Sequence, residues 1–444
     1  MSSHPRRPAV SRLLLLLGAV VVLVSVVAVQ RLVGEPASRP GGPGAPGTAA
    51  TPATGTDGTP ATGTAGTPAT GWPSGTADQV HWSYTGPRSV AFGWRGSAAA
   101  LRWGRTPAYG STVTGKTPAP VPRSSPGPFW EAVLDGLEPG TTYHYSIGGQ
   151  PDRTFATAPT GPFRFDVQAD IGDSGTYPAV AEVQRMIAAD QPAFVIASGD
   201  LTYGDDHGQD AVDQHFDDVM AWSREAAYMP AWGNHESDDG DDLRNYKGRF
   251  AIANPAASPG APALGCCGED WGWFDAGGVR FVSYPEPYRG AWEAWEAAAS
   301  RVMAKAQGDQ AIRFIVTYGH RPAYSTGHHP GDEDLAAILD RLGDAYPKYK
   351  LNLNGHSHNY ERFSPIHGVT HITVSGGGAS LEPNWTSTDP RTAFRAMHLA
   401  HGRVDVGPDS IRFQAVCGPP TRKQARDCQQ GSVLDSVLIA ADGA

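Results

Sequence analysis

The sequence predicts an α/β domain preceded by a small all-β sandwich, and three observations predict it. Between Gln79 and Pro159, short stretches alternate apolar and polar residues and are separated by turn residues. After Pro162 the rhythm becomes strand, helix, strand, the pattern of a mostly parallel sheet with helices outside it. With 444 residues, 40% hydrophobic and 18% charged, the chain holds enough apolar material for two domains.

The N-terminal part belongs to neither domain. Arg6, Arg7 and Arg12 precede LLLLLGAVVVLVSVVAV, seventeen uncharged residues from Leu13 to Val29. A membrane span needs ~20 residues and a signal-peptide core ~7–15, so residues 1–34 read as a signal peptide or a membrane anchor. Gln30 and Arg31 stand where a small-residue cleavage site belongs, which favours an uncleaved anchor. Either way the basic start puts the rest of the chain outside the cytoplasm, secreted or attached to the cell membrane. Residues 35–78 are mostly Pro, Gly, Ala and Thr, with TPATGTDG, TPATGTAG and TPATGWPS starting at Thr51, Thr59 and Thr67. Such a composition buries too little surface to offset its ordering entropy and predicts a disordered linker.

Residues 79–159 supply the sandwich, with VHWSY, SVAFGWRG, ALRWGR, WEAVLDGL and TTYHYSI as its strands. LEPGTTYHYSI, Leu137 to Ile147, resembles the corner of a fibronectin type III domain. That resemblance makes Tyr143 the residue whose hydroxyl ties back to the backbone. The domain reads as a spacer or packing module. The alternative is carbohydrate binding through an exposed Trp82 or Trp103.

Residues 160–444 supply the α/β domain. FRFDVQAD and AFVIASGD read as strands around the helix YPAVAEVQRMIAAD, and DAVDQHFDDVMAWSREA as a second helix before the strand AYMPAWGN. In such sheets ligands bind beyond the carboxyl ends of the strands. Those ends carry Asp170 in ADIG, Asp200 in SGDLTY, Asn234 and His235 in GNHE, His320 in TYGHRP, and His356 and His358 in NGHSH. Singly, Asp is a helix cap and Asn or Gly a turn former. Together they make a mixed oxygen and imidazole set without thiolate, suited to Fe, Mn or Zn. They exceed the three protein ligands of a single catalytic metal, which points to two. Eight of the fifteen histidines lie between His235 and His371, so the chemistry is concentrated there.

The motifs DIG, GDLTY, GNHE, a downstream His and GHSHNYER resemble the five blocks of calcineurin-like metallophosphoesterases. The Tyr of GDLTY and the YER after GHSH resemble, more narrowly, purple acid phosphatases. The resemblance covers roughly residues 79–444, including WGWFDAGGVRFVSY, HITVSGGGAS and GSVLDSVLI. It implies an αββα metallophosphoesterase sandwich, with residues 79–159 as the family's N-terminal domain. It also implies that Asp170, Asp200, Tyr203 and His358 hold Fe(3+), while Asp200, Asn234, His320 and His356 hold divalent Zn, Mn or Fe. Asp200 is shared, since one carboxylate can bridge cations ~3.5–4 Å apart. The implied reaction is hydrolysis of a phosphate monoester by metal-activated water, without a phosphoenzyme. His235, His328 or His329 would stabilise the leaving oxygen. Asp166, Asp173, Asp205, Asp206 and His207 lie off the matching register, and Glu236 and Arg362 read as supporting residues.

Two other functions stay open at this level: a phosphodiesterase of the same superfamily, and a non-catalytic surface adhesion protein. The net charge of -10 argues against nucleic-acid binding, which needs a basic face. Four cysteines suit an oxidising compartment. Cys417 and Cys428 would close a short loop, Cys266 and Cys267 are adjacent, and three connectivities are open. No CxxC spacing supports a structural zinc site.

Overall fold

The computed structural model describes residues 75–237, 243–259, 268–287, 291–382, 384–422 and 428–442. Residues 1–34, most of the 35–78 linker, and Cys266 and Cys267 lie outside the described residues. The first seven strands are β1 (Asp78–Gly86), β2 (Ser89–Arg95), β3 (Ala100–Gly104), β4 (Ser111–Thr114), β5 (Phe129–Leu134), β6 (Thr142–Ile147) and β7 (Arg153–Ala156). They form two sheets, β1-β2-β5 and β4-β3-β6-β7, every pair antiparallel. Alternate residues turn inward, and Trp82, Phe92, Trp94, Tyr145 and Phe155 fill the space between the sheets. The Tyr143 hydroxyl accepts the Glu138 backbone N–H at 2.9 Å, so the corner closes as its sequence predicts. Trp82 is fully buried and Trp103 is half-buried against Tyr143. This removes Trp82 as a carbohydrate platform, because its ring is core.

The larger domain continues with β8 (Phe163–Gln168), α1 (Val180–Asp190), β9 (Phe194–Ser198), α2 (Gly204–His207), α3 (Gln209–Ser223) and β10 (Ala227–Ala231). After a single 3-10 turn at Asn234–Glu236 come α4 (Arg244–Lys247), β11 (Trp273–Ala276), β12 (Val279–Ser283), α5 (Ala291–Gly308), β13 (Phe314–Tyr318), α6 (Glu333–Ala345) and β14 (Tyr349–Asn354). The last strands are β15 (Tyr360–Phe363), β16 (Thr370–Val374), β17 (Thr392–Ala396), β18 (Ala400–Val406), β19 (Ser410–Cys417) and β20 (Val433–Ala440).

Two sheets run β10-β9-β8-β18-β19-β20 and β11-β12-β13-β14-β16-β15-β17. Phe165, Phe194, Phe281, Val316, Leu351 and Phe413 fill the space between them. Val183 and Ile187 of α1 pack with Val212, Phe216 and Val219 of α3 on one outer face. Trp295 and Met303 of α5 pack with Leu335 and Leu339 of α6 on the other. The result is an αββα sandwich behind an all-β domain.

The elements follow their patterns. Helix α6 buries Leu335, Ile338, Leu339 and Leu342, the i, i+3, i+4, i+7 stripe. Its N-cap Asp332 accepts from the N–H groups of Asp334 and Leu335. The fully buried β9, β10 and β13 read as continuous apolar runs, as parallel strands covered on both faces do. The expectation of a mostly parallel sheet needs correction. Only β8-β9-β10 and β12-β13-β14-β16 are parallel, while β18, β19 and β20 form an antiparallel meander. Tight turns such as Gly407–Ser410, closed by Gly407 N–H to Ser410 O at 2.8 Å, allow no crossover helix. Cys417 and Cys428 are disulfide-bonded with Cα atoms 6.1 Å apart.

Candidate metal centre

Each candidate ligand lies just past the carboxyl end of a strand: Asp170 after β8, Asp200 after β9, Asn234 after β10, His320 after β13, and His356 and His358 after β14. The two facing sheets bring these ends together along one edge. Asp170, Asp200, Tyr203 and His356 all have φ between +49° and +71°. That region costs a non-glycine residue ~1–2 kcal/mol and persists where surrounding structure imposes it. The loops after β8 and β9 impose it here by zipping together, with Asp170, Ile171 and Gly172 N–H groups donating to Gly199, Asp200 and Leu201 carbonyls at 2.9–3.2 Å. The motif glycines are steric requirements. A Cβ on Gly233 would stand 2.2 Å from Asp200 Oδ1, and one on Gly355 would stand 2.6 Å from Asp170 Oδ2.

Two groups of donors result. In the first, the Tyr203 hydroxyl is 3.4 Å from Asp170 Oδ1 and 3.1 Å from His358 Nε2, and Asp170 Oδ1 is 3.2 Å from His358 Nε2. In the second, Asp200, His320 and His356 present ligand atoms within 4.8 Å of one another. There His320 Nε2 lies 2.9 Å from Asp200 Oδ2 and 3.1 Å from His356 Nδ1. Asn234 reaches this group through Arg321, whose Nη2 is 3.5 Å from Asn234 Oδ1 and whose Nη1 is 2.8 Å from His356 Nε2. Outer contacts fix the rings. His320 Nδ1 meets Ser198 O at 3.1 Å and His358 Nδ1 meets Ser380 O at 2.6 Å, which turns each Nε2 inward. Asp170 Oδ2 accepts from the His356 N–H at 3.0 Å and from the Ser375 hydroxyl.

The electrostatics suit cations. Burial, backed by the Asp170 and Asp200 carboxylates, holds the Tyr203 phenol far above its usual range; ionising it there requires a positive charge alongside. Burial opposes ionisation of Asp170, yet His358 and His320 keep it below the usual carboxylate range. Carboxylate, amide, phenol and imidazole donors, with no thiolate, fit hard to borderline ions. The residues therefore fit a dinuclear centre.

His235 stands beside both groups. Its ring lies 4.3 Å from the Tyr203 ring, its backbone N–H donates to Asp200 Oδ1 at 3.0 Å, and Nδ1 pairs with Asp205 Oδ2 at 2.8 Å. Burial lowers its pKa, but Asp205 and Asp200 override this and push it up to about 9. Its Nε2 lies 3.9 Å from Asp200 Oδ2. His329 stacks on His356 at 4.2 Å and approaches Glu382 at 3.4 Å, while His328 lies further out at 3.8 Å from Glu382.

Sequence reasoning missed Arg321, although it follows His320 directly; its signal was an arginine inside a motif. It left Asp205 as a bystander where it holds His235, and did not single out Glu382. Glu236, read as a supporting residue, accepts Leu201 and Gly233 N–H groups at 2.7 and 2.8 Å. Arg362 makes a two-pronged pair with Asp435 at 2.7 and 3.0 Å, which fastens β15 to β20.

Known proteins resemble this chain in both of its domains. Residues 163–360 match the calcineurin-like phosphoesterase family, and residues 77–165 match the purple acid phosphatase N-terminal domain. An uncharacterised protein of Mycobacterium tuberculosis is 27% identical over 320 residues, covering 57% of this chain and 58% of that protein. Purple acid phosphatase 21 of Arabidopsis thaliana is 27% identical over 308 residues, covering 63% and 66%. The chain thus spans less than two thirds of the length of the relatives it matches. Among solved structures, the purple acid phosphatase from yellow lupin (Lupinus luteus) seeds aligns with a TM-score of 0.63 at 18% identity, over 82% of this chain and 74% of its own. The structure of PhoD aligns at 0.56 and 11% identity, over 81% and 88%; both likenesses bear on the fold. The chain is thus similar to calcineurin-like phosphoesterases over residues 163–360 and, in carrying a purple acid phosphatase N-terminal domain ahead of that segment, to purple acid phosphatases.

Proposed function

We propose that this protein hydrolyses phosphate monoesters outside the cytoplasm at a dinuclear centre. The observation that carries the reading is the pair of donor groups, Asp170 with Tyr203 and His358 and Asp200 with His320 and His356, with His235 touching both Tyr203 and Asp200. Asp170, Asp200, Tyr203 and His358 would hold Fe(3+), and Asp200, Asn234, His320 and His356 a divalent Zn, Mn or Fe. Bound there, the pair supplies positive charge against the phosphoryl oxygens and lowers the pKa of water into the neutral range.

The remaining work falls to side chains of this chain. Asp205 fixes the His235 ring and keeps a proton on Nε2, ready for the leaving alkoxide. Arg321, held by Glu286 at 2.8 Å, brings a guanidinium to the Asn234 side, where it can hydrogen-bond a phosphoryl oxygen. His329 covers His356 and, with His328, faces an ester entering from solvent. Among the described residues no helix is long and apolar enough to cross a membrane, and the apolar segment Leu13–Val29 lies outside them. Its basic flank supports export; N-terminal sequencing of the exported protein decides between anchor and signal, a start after about Gly34 meaning cleavage.

The test of the reaction is turnover of a phosphate monoester against the matching bis-ester, before and after chelation. Faster monoester turnover that chelation abolishes is the expected result. Faster bis-ester turnover makes the protein a phosphodiesterase, and turnover of neither ester overturns the proposal.

A further inference from the structure

The metal centre has a neighbour that the proposed chemistry does not use. A cavity of about 420 Å³ is lined by residues 177–179, 378–381 and 420–422, with Tyr177, Pro178, Leu381 and Pro420 among its apolar walls. That volume falls in the range of small-molecule sites, ~300–1,000 Å³. Its walls are mostly apolar, and among the described residues that line it Arg422 is the one that is formally charged.

Its position ties it to the metal centre. The walls come from the segments that follow β8, β16 and β19. Strand β18 runs antiparallel to β8 and β19 antiparallel to β18, so β19 runs with β8. The cavity therefore lies along the same carboxyl edge as Asp170 and Asp200, one step further along the sheet. Two of its walls touch residues of the metal centre. The Tyr177 ring stands edge-on to Tyr203 at 6.0 Å. The loop carrying Leu381 also supplies the Ser380 carbonyl that orients His358 and the Ala379 N–H that donates to Asp170 O at 3.2 Å.

We propose that this cavity is the subsite for the organic part of the ester, and that it selects ring-bearing apolar alcohols. The inference rests on the phosphoesterase reading above. A phosphoryl group between the two donor groups would leave its substituent at the Tyr177 side, where a ring can face Tyr177 and lie on Leu381 and the two prolines. Burying such a ring in an apolar pocket favours it over a methyl group by ~10-fold or more in affinity.

The test measures binding without chemistry. Calorimetric titration of the metal-loaded full chain compares phenylphosphonate with methylphosphonate, which share a head group and do not hydrolyse. The wild-type protein should bind phenylphosphonate ~10-fold or more tightly. Ala179→Phe, which fills the cavity, should bring the two dissociation constants within ~2-fold while leaving that of methylphosphonate unchanged. Pro420→Trp on the exposed rim gives the same reading if Ala179→Phe does not fold. Equal affinities in the wild type, or preference for the ring kept in the filled variants, overturn the subsite alone. Binding of neither phosphonate overturns both the subsite and the phosphoesterase reading.

Discussion

Replacing Arg249 by Ala should show that the β sandwich is a structural part of the catalytic body. Arg249, on the segment after α4, is almost wholly buried where the two domains meet. Its guanidinium donates to Gln79 Oε1 at 2.7 Å, Ser124 Oγ at 2.6 Å and Asp213 Oδ1 at 3.0 Å, and lies over the Phe216 and Phe129 rings at 4.1 and 4.7 Å. Burial lowers its pKa to about 10, so it remains charged at neutral pH. Removing one partner of a buried ion pair costs ~3–5 kcal/mol. Asp213 keeps Arg95 at 2.5 Å, which favours the lower end. Two acceptors left without a donor and the lost ring contacts bring the total to ~4 kcal/mol. For a body of this size an unfolding entropy of ~0.8 kcal/mol/K turns that into a fall of ~5 °C in Tm. Arg249→Lys keeps the charge but not the planar fork and should lose about half as much. The assay is scanning calorimetry of the metal-loaded protein. A single wild-type transition that moves down as a whole is expected. Two separate transitions, or a shift below ~1 °C, would refute the reasoning.

Three further outcomes follow from the same contacts. His215 is fully buried, with Nδ1 at 2.9 Å from Gly172 O and Nε2 at 3.0 Å from Tyr228 Oη, and burial lowers its pKa to about 4. The unfolded state binds the proton first, so stability should fall as pH drops from about 6.5 toward 4, and melts of His215→Gln should show a shallower acid limb. Tyr143→Phe leaves the Glu138 N–H without its partner and should cost ~1–2 kcal/mol in a urea titration, with the fold kept. His235→Ala should keep both metals yet lose ~10²–10⁴-fold in turnover of alkyl esters, and much less with a nitrophenyl ester whose leaving group needs no proton. An equal deficit on both esters would make His235 a phosphate-positioning residue instead.

What was legible in the sequence divides along physical lines. The candidate ligands other than Tyr203 stood out because each follows a strand end, and facing strand ends meet along one edge whatever lies between them. The HxH pair was legible as a pair, but its geometry was not: His356 sits at φ +71°, so a plain strand alternation does not describe it. Helix α1 was legible from its local pattern, and Tyr143 through the resemblance of its stretch to a fibronectin type III corner. The antiparallel strands β18–β20 were less so, since fully and half-buried strands share composition, and only the Gly-Pro-Asp turn betrays the hairpin. The partners of Arg249 and Arg321 were illegible because their contacts span 35 to 170 positions of sequence. Such pairing is set by the packed fold, which no local pattern encodes.

The central claim is that Tyr203 and its neighbours hold iron beside a second metal ion. Metal analysis with a visible absorption spectrum, run on purified wild-type protein and on Tyr203→Phe, tests it most directly. The account predicts two metal ions per chain, at least one of them iron, and a visible phenolate-to-iron band in the oxidised wild type. Tyr203→Phe should lose that band while its circular dichroism is unchanged. A colourless wild type without iron, or a band that survives in Tyr203→Phe, would contradict it.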